Sequence, residues 1–538
     1  MLTRGFLLCF AIPSAAAAAD VPATPADYQA KLGGLQAGDV LKLAAGDYLS
    51  GMNIVGMNGA AGMPIVIQGP ATGAPARFLG KSGKNTIDIK NSSFITIQNL
   101  LLDGQDISGI DAIKAGGQAS DFAHHITIEG CTITKHAGGG SSQQTVGVST
   151  KIVTWDWIVR GNLIDGAGTG MYFGNSDGSR AFIGGVIEGN LFRDTLGYNM
   201  QIKHQTDRGQ SDVPQVPTDD RVTVIRHNVF IKSNNPSPDG ARPNLLVDGP
   251  PNSGPGSKDW VEIYGNFFFH NDDDALFQGN GRLHIHDNVF VDSKQPAIRL
   301  TNHSGKTVID AWVYNNTIFD TTSGISVSSA PSGSSLIFGN AIFSAQPLSG
   351  STSGQKDNVT DSVANAGNYV VAPSKTLGAM DFFPKGGSAL KGAALDVSGV
   401  QGDADYDVDF NGTKKDFTYR GAYHGEGTNP GWALADGFKA GVGAAGNPGS
   451  GGSGATGGAS GGSGGGAGGG TAGQGAAVGT GGAAGGGAAA GSGGSSASPG
   501  GGGSDDGGCG CRTAGRTAGG PWWLLLAGLV PLLRRRRR

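Results

Sequence analysis

The chain has 538 residues, 98 of them glycine, and 39 of its 43 acidic side chains are aspartate. Aspartate and glycine favour turns whereas glutamate favours helices, so this balance argues against a helical protein and for a turn-rich β structure. The formal net charge is −4, but residues 20–440 carry 31 Lys and Arg against 41 Asp and Glu, and an acidic body without a basic stripe argues against nucleic acid as a partner.

The first 19 residues read as a secretory leader. Arg4 supplies the charge, Phe6–Ile12 the apolar stretch and Ala15–Ala19 the small residues of a cleavage site before Asp20. Cys9 does not suit a lipoprotein acceptor, because Leu8 before it is bulky and the apolar stretch would be too short.

Internal repetition dominates the body of the chain. Asn162, Asn190, Asn228, Asn266, Asn288, Asn316 and Asn340 each close a short apolar strand, at spacings of 28, 38, 38, 22, 28 and 24 residues. Two residues after each stands Ile164, Phe192, Phe230, Phe268, Phe290, Ile318 or Ile342. A second strand comes after each motif, as in TGMYFGN, YNMQIKH, PNLLVDG, DALFQGN, PAIRLTN and SGISVSS. Three short strands per repeat make one turn of a parallel β-solenoid, whose coils pair with those above and below at about 4.8 Å. Stacked asparagines then hydrogen-bond along the axis while Ile and Phe stack inside. Repeating leucines are missing, which excludes a leucine-rich repeat, and the irregular spacing excludes a left-handed hexapeptide helix. Upstream, Cys131 and Leu100 occupy the asparagine slot. Four cysteines make no disulfide framework for a chain of this length, and Cys131 is expected to be a small buried hydrophobe.

The pattern resembles the right-handed parallel β-helix of the pectate-lyase-like superfamily over residues 35–345. Leu35–Gly51 with Met63–Pro70 is similar to the entry coils of its polysaccharide-lyase members, and Val408–Gly425 to their closing segment. The expected fold is all-β: a parallel β-helix of about nine or ten coils over residues 20–345, with a closing segment over 346–424 packed on it.

Strand alternation tells which side chains face outward. Two residues before each asparagine, Glu129, Arg160, Glu188 and Arg226 form a charge ladder worth a few tenths of a kcal/mol per pair. The same column continues as Tyr264, His286 and Tyr314, which with Trp312 make an exposed aromatic strip, either a stacking surface for sugar rings or plain surface. On the other strand the outward residues are Gln201 and Lys203, Leu246 and Asp248, Leu276 and Gln278, and Arg299 and Thr301. Lys203, Asp248, Gln278 and Thr301 are expected to share one column. The longest coils place residues 205–220 and 234–243 as walls of a groove, and Asp272, Asp273 and Asp274 lie in the turn entering the next strand.

A lysine, carboxylates and an arginine on a walled sheet suit β-elimination on uronate polymers. A cation neutralises the uronate carboxylate, an unprotonated lysine removes the acidified neighbouring proton, and the glycosidic oxygen leaves. In this reading Lys203 is the base, Arg299 and Arg242 handle substrate charge, and Gln201, Gln278, Tyr172 and His204 bind substrate. Asp248, Asp272 and Asp274 hold a calcium ion. The superfamily resemblance implies that polymer lies across this strand. Lys203 is similar to the base lysine of the alginate and chondroitin lyase branch, which expects an arginine one coil later where this sequence has Val247-Asp248. The competing reading is a surface ion pair between Lys203 and Asp248. Asp407-x-Asp409-x-Asn411-Gly412 begins like a calcium loop but has Thr418 where a bidentate acid is required, and so reads as a turn. His284-x-His286 lacks a third metal ligand and reads as two exposed histidines.

Residues 425–508 read as a linker, since 35 of the 70 residues from Gly441 to Gly510 are glycine and none is aromatic. Beyond it come Cys509–Arg512, an apolar run at Pro521–Leu533 and five arginines, Arg534–Arg538. Thirteen apolar residues span only about 20 Å as a helix, short of a bilayer core. The order Cys-Gly-Cys, apolar run, arginine cluster over 509–538 resembles the myxobacterial-type C-terminal sorting signal. That resemblance implies a sorting protease at the membrane and delivery to the cell surface. The expectation is a secreted, surface-sorted monomer acting on an acidic polysaccharide, most simply as a lyase. A hydrolase or epimerase in the same groove, or a non-catalytic adhesin or carbohydrate-binding rod, are the alternatives.

Overall fold

A computed structural model describes residues 18–138, 145–238, 240–351 and 354–440; the leader through residue 17, and the linker and sorting segment from residue 441 on, lie outside the described residues. The chain winds as a right-handed parallel β-helix, each coil giving one strand to each of three parallel sheets. Strands before the asparagines build the first sheet, those after them the second, and the strands typified by Met200–Ile202 the third. Eleven complete coils run from Val40–Leu43 to Gln346–Gly350. That is more than the repeat indicates, because the entry coils carry no asparagine.

The corner between the first and second sheets explains the repeat. The residue before each ladder asparagine is left-handed: φ is 61° at Gly161 and Gly189, 56° at His227, 64° at Gly265, 51° at Asp287 and 50° at Asn315. Only Gly and the polar residues that tolerate this conformation stand there. The asparagine after it is fully buried and donates its amide to the next coil's side-chain oxygen. These steps are 3.0 Å from Asn162 to Asn190, 2.9 Å to Asn228, and 3.0 Å each to Asn266, Asn288, Asn316 and Asn340. Asn358 adds a further rung at 2.9 Å, and the Cys131 N–H donates to Asn162 at 2.9 Å, so the cysteine ends the ladder as a buried thiol.

Inside, Ile164, Phe192, Phe230, Phe268, Phe290, Ile318 and Ile342 are in register. The four phenyl rings stack at 4.9, 4.7 and 4.6 Å between centroids. Each contributes about 1.5–3 kcal/mol by burial. At the N-terminal end a short helix, Tyr28–Leu32, lays Tyr28 against Tyr48 and Phe78 and brings Leu32 into the same core.

The outer faces of the first and second sheets are partly covered by the chain after the last coil. Phe382, Phe383, Leu390, Phe410, Tyr423 and Leu434 pack on the second sheet through Leu191, Val229, Phe267, Val289, Val291 and Phe319. This packed chain continues to Lys439, past residue 425 where composition suggested a linker. The same segment corrects the aromatic strip. Tyr264, His286 and Tyr314 do share one column with Arg226 and stack on one another at 4.8 and 4.7 Å, but all three are buried. The Tyr264 hydroxyl donates to Asp405 at 2.9 Å and that of Tyr314 to Asp403 at 2.8 Å, while Lys415 donates to both oxygens of Asp287. No sugar reaches rings sealed in this way. His284 faces Asp403 and His286 faces Asp287, each 2.7–2.8 Å away, so neither is an exposed histidine. Asp409 accepts the N–H groups of Asn411, Thr413 and His424, which makes its segment a turn.

Candidate functional site

On the third sheet, register sets a column of outward residues: Ser149, Tyr172, Gln201, Leu246, Gln278, Arg299. The next outward position lies just beyond the strand ends. Backbone bonds from Lys203 to Phe173, Asp248 to Ile202, Asn280 to Val247 and Thr301 to Gly279 align Lys203, Asp248, Asn280 and Thr301. Asn280 thus takes the place expected of Gln278. Leu276 enters the core instead of facing out, which moves the outward pattern of that coil by two residues.

Along a strand with one free face exposure alternates from residue to residue, yet Val146–Thr150, Thr169–Phe173, Met200–Ile202 and Leu245–Val247 are buried at every position. Loops on both sides shelter this stretch. After Ile202, residues 203–221 are pinned by Arg208, which is buried against the Asp259 carboxylate and Gln205. On the other side, residues 240–244 are held where Lys232 and Asn271 donate to the Arg242 carbonyl at 2.9 and 3.0 Å. Burial lowers the Lys232 ammonium to about 8, against the pull of Asp274 and Asp273.

Within this shelter Tyr172 lies between two ammonium groups. Lys151 Nζ is 3.0 Å from the ring centroid and Lys203 Nζ 5.3 Å. Attraction of a cation to a ring face holds such a pair in place. One coil beyond Lys203, the Asp248 side chain is wholly buried and accepts from Asn280 at 3.0 Å, from Ser304 at 3.2 Å and lies 2.9 Å from His303 Nδ1. Burial works to raise this carboxyl, but the His303 contact and the nearby Lys203 charge outweigh it and hold the pKa below its usual value. Lys306 sits alongside, donating to Asn252 at 3.1 Å, its ammonium lowered by burial. His204, half-buried against Gly178, is lowered as well. Burial is the main cause, and the Lys306 and Lys203 charges add to it against the pull of Asp248. A neutral imidazole beside two lysines and an ionised aspartate is the result.

Of the expected site residues, the structure brings together Lys203, Tyr172, Gln201, His204 and Asp248. Arg299 lies three coils from Gln201, about 14 Å along the axis, and is bound by Asp274 at 2.5 Å, Gln278 at 3.1 Å and Gln295 at 3.2 Å. Arg242 lies at the other end of the strand, its guanidinium 5.8 Å from the Tyr198 ring centroid. Neither arginine joins Lys203. The calcium triad does not form either. Asp248 is held by His303 and Asn280, Asp274 by Arg299, and Asp272 lies 3.3 Å from Lys294. Among the described residues no three His, Cys, Asp or Glu side chains are placed to hold a metal ion.

Lys151, Asn280, His303 and Lys306 were not anticipated. Lys151 was within reach of the sequence, since it stands two residues after Ser149 as Lys203 stands two after Gln201. His303 and Lys306 were not, because they sit on a turn with no repeat signature.

No family model matches the chain, and no curated protein matches it. Among solved structures, the chain is similar to the A-module of a mannuronan C-5 epimerase of Azotobacter vinelandii, at 13% identity and a TM-score of 0.43, covering 63% of this chain and 92% of that one. It is similar to a PL6-family polysaccharide lyase of Pseudopedobacter saltans, at 13% identity and a TM-score of 0.38, covering 64% and 93%. A protein of Geobacillus virus E2 shows 10% identity and a TM-score of 0.42, covering 65% and 62%. At identities this low nothing about chemistry follows from them.

Proposed function

We propose that the chain cleaves a uronate polymer by β-elimination on the sheltered outer face of the third sheet. The observation that carries this reading is the arrangement of Lys151 and Lys203 about the Tyr172 ring on a walled strip of sheet. Lys151 is placed for the charge-neutralising role that the sequence suggested for Arg299, pairing with the uronate carboxylate and acidifying the adjacent C5–H. Lys203, in its amine form, takes that proton. The electron pair forms the C4–C5 double bond as the C4–O bond breaks, and the Tyr172 hydroxyl gives its proton to the departing oxygen, recovering it from Lys203 afterwards. Asp248, fixed by His303 and Asn280, lies one coil beyond Lys203, and Gln201 follows Tyr172 in the same column. The leader and the Cys-Gly-Cys, apolar, arginine tail would place this activity at the cell surface.

Incubating the full chain with alginate, pectate and chondroitin, with and without calcium, and following the ultraviolet absorbance of the unsaturated product tests the proposal. Lys203→Ala is expected to cost about 10²- to 10⁴-fold in rate. Binding without any product refutes the lyase reading in favour of a carbohydrate-binding rod. Exchange of the C5 hydrogen without scission identifies an epimerase.

A further inference from the structure

A second concavity opens on the same face of the third sheet, near its N-terminal end, with a volume of about 690 Å³. Its wall includes Asn53, Asp88 and Lys114, which stand in the very column that continues through Ser149 to Tyr172. Lys81 and Lys84 rise beside them on an exposed turn closed by the Lys84 N–H to the Lys81 carbonyl at 3.1 Å. Lys114 is 3.6 Å from Asp111, so Lys81 and Lys84 against Asp88 give the lining its surplus positive charge in a body that is acidic overall.

The two sites are joined. Asp111 accepts from Ser149 Oγ at 2.6 Å and lies 3.6 Å from Lys114 Nζ, so one carboxylate ties the cleft's lysine to the residue one coil before Tyr172. From Asn53 to Tyr172 is four coil steps, about 19 Å, a span suited to an oligosaccharide and not to a single sugar.

We infer that this cleft is a remote carboxylate-binding subsite, holding the stretch of a uronate polymer that runs from the Lys203 site toward the N-terminal end of the third sheet. The inference rests on the uronate reading of the Lys203 site and adds to it a preference for long chains. Lys81 and Lys84 pair with carboxylates spaced along the polymer.

The test uses the full chain carrying Lys203→Ala, so that nothing is consumed, titrated calorimetrically with long and short oligouronates. Adding Lys81→Ala and Lys84→Ala, both on an exposed turn whose backbone closure is untouched, is expected to weaken the long oligomer about three- to tenfold and leave the short one unchanged. The salt dependence of the long oligomer should become shallower. Equal weakening of both lengths, or no change in either while both still bind, overturns the subsite and spares the Lys203 site. If the long oligomer binds neither the Lys203→Ala chain nor the unsubstituted one, the uronate reading itself falls and the subsite with it. A neutral oligosaccharide of the same length that binds as tightly as the uronate also overturns the assignment.

Discussion

Asn266→Ala probes the ladder on which the solenoid depends. The Asn266 amide donates to Asn288 Oδ1 at 3.0 Å, to the Ile225 carbonyl at 2.8 Å and to the Tyr264 carbonyl at 3.0 Å. Its oxygen accepts from the Asn228 backbone N–H at 2.9 Å and from the Asn228 amide at 3.0 Å. Some neighbours keep other partners after truncation. Asn228 Nδ2 still donates to Ile187 and Arg226, Asn288 Oδ1 still accepts from the Asn266 N–H, and the Tyr264 carbonyl still accepts from His227. The Asn228 N–H, however, loses its acceptor in a fully buried corner. One orphaned donor at about 1–3 kcal/mol, plus four lost bonds at about 0.5–1.5 kcal/mol each, gives a destabilisation of about 3–6 kcal/mol when neighbours relax in part. Asn358→Ala, at the half-buried end of the ladder, should cost about 1–2 kcal/mol, because solvent can replace what is lost. Urea unfolding followed by fluorescence reads both as a fall in midpoint at unchanged slope. Equal losses below about 1 kcal/mol for the two variants would refute the claim that the ladder's strength comes from its burial.

Lys415→Met leaves Asp287 buried without its cation and is expected to cost about 3–5 kcal/mol, most of it recovered by adding Asp287→Asn. Hydrogen exchange should rise across residues 395–439 in the single variant and return toward the original in the double. The buried histidines should weaken the fold as pH falls from 6.5 to 4, offset in part by Asp287, whose carboxyl burial raises to about 7 and which takes up its proton first in the native state. Burial, with other charges secondary, lowers His124 and His136 to about 4 and His286 to about 3, so as pH falls below 6.5 the unfolded chain binds protons that the native state refuses. For His136, which is fully buried, this share is about 3 kcal/mol, and His136→Phe should flatten the loss measured by urea midpoints across that range. The Cys131 thiol, pushed up to about 12 by burial, should resist alkylation in the folded protein at mildly alkaline pH and react on unfolding, as peptide mapping of Cys131 would show.

Read as a sequence, the chain already contains its solenoid. Asparagine, the apolar residue two places later and the left-handed residue before it recur because each coil solves the same corner, and chemistry confined to four neighbouring positions repeats visibly. The charge ladder through Glu129, Arg160, Glu188 and Arg226 is legible for the same reason: strands alternate with period two, so a column needs only a shared anchor. Arg160 meets Glu129 at 2.8 Å and Arg226 meets Glu188 at 2.7 Å. The arrangement beyond the corner was not legible. The column holding Lys203 depends on where each third-sheet strand begins, which loops of unequal length decide, and so Asn280 replaced Gln278. That Arg299 is spent on Asp274, and that Lys151 lies over Tyr172, follows from contacts across coils and not from any local pattern. The fate of Tyr264, His286 and Tyr314 lay furthest out of reach. Alternation put them outside the solenoid correctly, but Asp405 and Asp403, 141 and 89 residues later than Tyr264 and Tyr314, bring a covering segment over them. A strand's period tells which way a side chain points; only the packed chain decides whether water, substrate or another segment meets it there.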